Sequence, residues 1–171
     1  KAMDGTFNDA VLAMSAGGLR LYLQNHSQLP EKSMKAMVPV SLRQKGDIDS
    51  SNAIGAISAD LATDVADPIK RFQKIQASMV AGKELFKGMK PKEAALMLQL
   101  IQAPGLLLMP LGLMGRLPPY NTIISNVPGP RQPMYWDGAR LDGVYPASIV
   151  TEGIALNITL VSYDENVDFG I

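Results

Sequence analysis

The 171-residue sequence has no cysteine. That removes disulfides, thiolate metal sites and a cysteine nucleophile from consideration, and points weakly to a reducing compartment. Its single histidine, His26, is too little for a histidine-based metal site within the chain. Neither charge sign is in excess. Sixteen Lys and Arg balance 16 Asp and Glu, and without a basic run or stripe nucleic acid is not an expected partner. Also absent are the phosphate-cradling G-x-x-x-x-G-K, the nucleophile elbow G-x-S-x-G and any carboxylate–histidine metal pattern. Aromatic residues are few, with 4 Phe and 1 Trp against 10 Met. The interior is therefore pliable and aliphatic, which suits flexible acyl chains but also fills ordinary cores.

The length suits one domain with a real core. The sequence starts on Lys1-Ala2-Met3 without a targeting pattern and stops on Asp168-Phe169-Gly170-Ile171 in strand-like alternation, so it reads as a piece of a longer polypeptide. Thr6-Phe7-Asn8-Asp9 is a capping-box pattern, and Leu12, Ala16, Leu19 and Leu23 follow at helical spacing, predicting a buried helix over 7–25. The internal Gly17-Gly18 pair suggests close backbone packing. His26 falls at the fraying end, the place of a solvated or capping group. A strand over 36–42 carries Pro39, which predicts an edge or a bulge. Residues 43–52 read as a mobile loop and 53–61 as a strand of small residues with room beside it for a helix or ligand. Asp67-Pro68 opens a second helix, with Ile69, Phe72, Ile75 and Met79 inward and Lys70, Arg71 and Lys74 solvated.

From residue 94 to 115 there are 22 residues without a charge. Pro104-Gly105 and Pro110 interrupt this run, which predicts a broken helical hairpin. Three placements stay open: a core or lipid-tunnel wall, interfacial contact with a bilayer, and a membrane span. Next comes a β-branched strand over 121–127, stopped by Pro128-Gly129-Pro130. Alternation puts Asn121, Ile123, Ser125 and Val127 on one face and Thr122, Ile124 and Asn126 on the other. Ser125 and Asn126 satisfy backbone groups at a turn in the plain reading and serve a site in the functional one. Asp137-Gly138 marks a hairpin. The strands over 154–163 and 167–171 follow, with Asn157 and Thr159 as polar residues on an outer face.

Four segments, in order and spacing, carry a resemblance. They are Phe7-Asn8-Asp9-Ala10-Val11-Leu12-Ala13, Ser125-Asn126-Val127-Pro128-Gly129-Pro130, Gly143-Val144-Tyr145-Pro146 and Leu156-Asn157-Ile158-Thr159. Over nearly the whole chain they resemble the C-terminal half of the bacterial wax ester synthase/diacylglycerol acyltransferase family. The resemblance implies an α/β fold, a chloramphenicol acetyltransferase-like lobe with a mixed sheet, flanking helices and a C-terminal third of mainly antiparallel strands. It implies two lobes around a tunnel, of which residues 1–171 would be the C-terminal one.

The implied reaction moves a fatty acyl group from acyl-CoA, the co-substrate, to a long-chain alcohol or diacylglycerol, with no further cofactor. The family's base is the second histidine of H-H-x-x-x-D-G in the N-terminal half, a motif absent here; His26 in Gln24-Asn25-His26-Ser27 does not replace it. The implied partner is therefore an N-terminal lobe that carries the base, unless the protein is inactive. By analogy of setting, Ser125 is the implied oxyanion donor. Asn8, in the family's Asn-Asp motif, would hold a catalytic group or a substrate oxygen, while Asp9 caps the helix. Asn126, Gly153 and Ala155 are the implied substrate-binding or channel-shaping positions. The implied location is cytoplasmic, with peripheral contact to membrane or lipid inclusions left open. Two alternatives stand beside this: a condensation-type transferase using carrier-protein thioesters, and a non-catalytic lipid-binding lobe.

Overall fold

The structure, a computed structural model, describes residues 3–41, 54–89, 91–108, 110, 120–150 and 153–171. In chain order the elements are α1 (Phe7–Asn25), β1 (Lys35–Ser41), β2 (Ile54–Asp60), α2 (Pro68–Phe86), α3 (Pro91–Leu108), β3 (Thr122–Val127), β4 (Tyr135–Trp136), β5 (Ala139–Arg140), β6 (Leu156–Tyr163) and β7 (Asn166–Gly170). The stretch expected to be a mobile loop, 43–52, lies outside the described residues.

Five strands form one mixed sheet in the order β2-β1-β3-β6-β7, and β4 and β5 form a separate hairpin. β3 is the middle strand and runs parallel to both neighbours, while β1–β2 and β6–β7 are antiparallel. The helices seal one face: Val38, Ile57, Ile124, Ile158 and Leu160 are buried with Val11, Leu12, Ile75, Met79 and Ala94 in one core. Such a fully removed Leu or Ile side chain contributes about 1.5–3 kcal/mol over an exposed one.

The helix starts follow from their caps. Asp9 N donates to Thr6 Oγ1 at 3.2 Å, and Thr6 N donates to Asp9 Oδ2 at 2.8 Å, completing the box. Asp67 Oδ1 accepts from the N–H groups of Ile69 and Lys70 at 2.8 and 2.9 Å, with Pro68 in the first turn. These backbone hydrogen bonds, that to Lys70 first, hold the Asp67 carboxyl below its ordinary range. At the end of α1, His26 is the C-cap and its Nδ1 lies 2.8 Å from Tyr22 O. The Gly17-Gly18 pair does not mark the close backbone packing expected of it: a Cβ at Gly17 would meet only the flexible Arg71 Nη2, at an ordinary 3.4 Å, and one at Gly18 would meet nothing among the described residues.

Several expectations are corrected. β1 is an interior strand, not an edge: Pro39 is accommodated because pairing with β3 covers only Ala36 and Met37 and ends before it. Helix α3 continues through Pro104-Gly105 to Leu108, because one missing N–H bends a helix without having to end it; the second half of the expected hairpin, 109 and 111–115, lies outside the described residues. Ala94 is buried and Met97 packs on the core, whereas Leu96 and Leu100 are exposed. No helix among the described residues is long and apolar enough to cross a membrane. Ile69, in the first turn of α2, is exposed. Arg71 and Lys74 are engaged rather than simply solvated: Arg71 Nη1 donates to Val65 O at 2.9 Å, and Lys74 bridges Asp60 and Asp64 at 3.6 and 3.1 Å.

Candidate active site

The face of the sheet away from the helices carries the candidate chemistry. Register decides which residues share it. Ser125 lies opposite Thr159, Ile123 opposite Asn157, and Met37 opposite Ile123. Adjacent residues alternate sides, so Met37, Ile123, Ser125, Asn157 and Thr159 all look away from the buried Thr122, Ile124, Ile158 and Leu160. All five are half-buried. Along β6 the polar groups interact: Thr159 Oγ1 donates to Asn157 Oδ1 at 3.0 Å and lies 3.4 Å from Ser148 Oγ. Ser125 Oγ makes no hydrogen bond among the described residues.

A strap over 141–150 partly covers this face beyond Thr159. Tyr163 anchors it by accepting from Met134 N at 2.9 Å and donating to Leu141 O at 2.7 Å, thereby tying both ends of the β4–β5 hairpin to β6. The hairpin turn itself has Asp137 and Gly138 at φ 47° and 80°, the left-handed pair of a tight primed turn. Further along, Pro146 packs on Gly170, where a Cβ would come within 2.1 Å of Pro146 O. Tyr163 was not among the residues expected to matter. Its signal was a tyrosine closing an alternating strand.

At the strand end, Pro128-Gly129-Pro130 stops β3 as expected. The group that holds this turn is Ser162: Gly129 N donates to Ser162 Oγ at 3.0 Å, and a Cβ on residue 129 would lie 1.9 Å from Ser162 O. Only glycine lets the two backbones approach so closely. Asn126 makes no hydrogen bond to the turn among the described residues. It faces the helix side instead, where it lines a cleft of about 500 Å³ with Phe7, Arg131, Ser162 and Asn166. Asn8 follows Phe7 on α1, on that same side of the sheet, and is half-buried. The structure thus brings Asn126 to the start of α1, and does not bring Asn8 to the face that carries Ser125.

Gly153 has φ 83°, a left-handed turn that favours glycine, and leads through the buried Ile154 to the exposed Ala155 at the entry to β6. The displaced ionisations lie elsewhere, in the β2–α2 connection. Burial pushes the Asp60 carboxyl up, but hydrogen bonds from Ser33 Oγ and Ala62 N and the Lys74 ammonium outweigh it and hold it below its ordinary range. Lys74 is likewise desolvated and yet raised, because Asp64 and Asp60 favour its charged form. The sequence's one histidine is His26, at the far end of α1. Among the described residues no group of three or more His, Cys, Asp or Glu is placed to hold a metal. The open face therefore offers polar donors and acceptors to a reacting group, but no imidazole to take a proton.

A family model described as the WS/DGAT C-terminal domain matches residues 50–171. The O-acyltransferase WSD of Acinetobacter baylyi is 44% identical over 171 residues, spanning 100% of this chain and 37% of that protein. A Mycobacterium tuberculosis protein named probable diacylglycerol O-acyltransferase tgs2 is 47% identical over 168 residues, spanning 97% of this chain and 37% of its own. Among solved structures, the wax ester synthase/diacylglycerol acyltransferase from Marinobacter aquaeolei VT8 matches with a TM-score of 0.83 at 41% identity, over 98% of this chain and 38% of that one. The chain spans little more than a third of the length of these relatives.

Proposed function

The chain belongs to the wax ester synthase/diacylglycerol acyltransferase family, and from that membership we propose that it is the C-terminal lobe of a two-lobe O-acyltransferase. Its N-terminal lobe carries H-H-x-x-x-D-G, and the open face of the sheet forms one wall of the site between the lobes. The reaction transfers a fatty acyl group from acyl-CoA to a long-chain alcohol or diacylglycerol. A histidine of the partner lobe takes the hydroxyl proton as the alcohol oxygen bonds to the thioester carbonyl carbon. The resulting oxyanion accepts a hydrogen bond from Ser125, the C–S bond then breaks, and the departing thiolate takes the proton.

The observation that carries this reading is Ser125 itself. Its hydroxyl is half-buried on the sheet face that the helices leave open, near the end of the middle strand, and spends its proton on no described residue. A half-buried hydroxyl with no protein acceptor is free to donate to water or, when substrate displaces it, to a ligand oxygen. Asn126 lines the cleft beside Phe7 and Asn8 stands on the same side of the sheet, across it from Ser125; in the proposal they hold a catalytic group or substrate oxygen on that side, and Gly153 and Ala155 shape the channel at the entry to β6. The names of the relatives favour acyl transfer over a lipid-binding lobe without turnover.

The test is Ser125→Ala in the two-lobe protein, assayed at steady state with acyl-CoA and hexadecanol. A kcat reduced on the order of 10²-fold supports the role, and an unchanged kcat removes it. Replacing acyl-CoA by acyl-carrier protein in that assay separates the condensation-type alternative.

A further inference from the structure

Thr159 donates its only hydroxyl proton to Asn157 Oδ1 at 3.0 Å, which fixes which end of the amide faces it. The other end, Nδ2, carries two N–H donors. The one acceptor it approaches among the described residues is Ile149 O at 3.5 Å, at the outer limit of a hydrogen bond. At least one of its N–H groups is therefore unspent among the described residues. Ser125, opposite Thr159 across the β3–β6 ladder, also has an unspent donor on the same face. Two unspent donors therefore stand two residues apart in register on neighbouring parallel strands, beside a pair whose hydrogen bond orients one of them. Diagonal neighbours on one sheet face have Cα atoms about 7–8 Å apart, close enough for a serine hydroxyl and an extended amide to reach one oxygen between them.

We propose that Asn157 is the second oxyanion donor, with Thr159 as the positioning residue that aims its amide and Ser125 as the first donor. The inference rests on the acyl-transfer reading and adds a residue to it. It also explains why two adjacent outward positions of β6 are polar where Ile123, on the neighbouring strand, is apolar. The competing role for Asn157 and Thr159 is to tie down the strap through Ile149 and Ser148. Both of those contacts are long, 3.5 and 3.4 Å, whereas the contact between Asn157 and Thr159 is of normal length.

The experiment compares Asn157→Ala, Thr159→Val, Thr159→Ser and Ser148→Ala with wild type in the two-lobe protein, with kcat and KM for acyl-CoA measured separately. Asn157→Ala is expected to lower kcat on the order of 10²-fold with KM nearly constant, as for other oxyanion donors. Thr159→Val is expected to lower kcat about 10-fold and Thr159→Ser to restore it, because serine keeps the orienting hydroxyl. Ser148→Ala, which touches only the strap contact, is expected to leave kcat within about two-fold. If kcat survives Asn157→Ala while Ser125→Ala abolishes it, the second donor is overturned and the acyl-transfer site stands. If Ser148→Ala matches Thr159→Val, the pair serves the strap and the inference falls. If neither Ser125→Ala nor Asn157→Ala changes kcat, the site reading falls with it. Should Asn157→Ala not fold, the Thr159→Val and Thr159→Ser pair decides alone.

Discussion

On the helix-covered face of the sheet, Val38, Ile57, Ile124, Ile158 and Leu160 are buried against α1 and α2, whereas on the opposite face the same strands present Met37, Ile123, Ser125, Asn157 and Thr159, all half-buried. Parallel strands are ordinarily covered on both sides. Among the described residues the parallel trio β1–β3–β6 is sealed on one side only, apart from the strap. The first face holds the fold together through apolar burial; the second holds hydrogen-bonding capacity that the described residues do not use. The proposed role as one wall of a shared site calls for this division, since a group committed to packing is not free to meet a reacting atom.

The comparison is broken if the helix face tolerates loss, and Leu160→Ala is the strongest trial. It should cost about 2–5 kcal/mol in denaturant unfolding, from lost transfer energy and the cavity left behind. Gly129→Ala comes next. Its methyl would collide with the Ser162 carbonyl 1.9 Å away, and relief of such overpacking costs about 1–3 kcal/mol, visible as a lower melting temperature. A third trial reads acidity. The Asp60 pKa is lowered in the fold, so its stabilising contribution is complete above the ordinary carboxylate range and is lost as pH falls through the lowered folded-state value. Asp60→Asn should therefore lower the melting temperature at neutral pH and flatten its decline in acid. The smallest effect sharpens the contrast: Ser125→Ala, so damaging to kcat in the proposal, should change unfolding free energy by no more than about 0.5 kcal/mol.

Local chemistry was legible wherever a few neighbouring residues decide the outcome. The capping box at Thr6 and Asp9, the Asp67-Pro68 start, the Asp137-Gly138 turn and the opposed directions of Ser125 and Asn126 all appear as read. What was not legible depends on partners far along the chain. Pro39 argued for an edge or a bulge because a proline donates nothing to a ladder, but β3 pairs with only two residues of β1, both of them before Pro39. Arg71 and Lys74 looked solvated because their acceptors, Val65 O, Asp60 and Asp64, lie on a connection whose path periodicity does not predict. Alternation placed Asn157 and Thr159 on an outer face. It could not say that Thr159 lies beside Ser125, since register between strands is set by pairing and not by either strand's own pattern.

The middle strand also sets a clock. Asn121, just before β3, bonds to Lys35, 86 residues earlier, and Thr122 at its start bonds to Leu156, 34 residues later. As the chain leaves the ribosome, β1 and β2 can form their hairpin, but the sheet has no centre until β3 arrives and no far half until β6 follows. Pairings this distant are slow to close, and an apolar hairpin face waiting for its partners is the species most exposed to aggregation during synthesis.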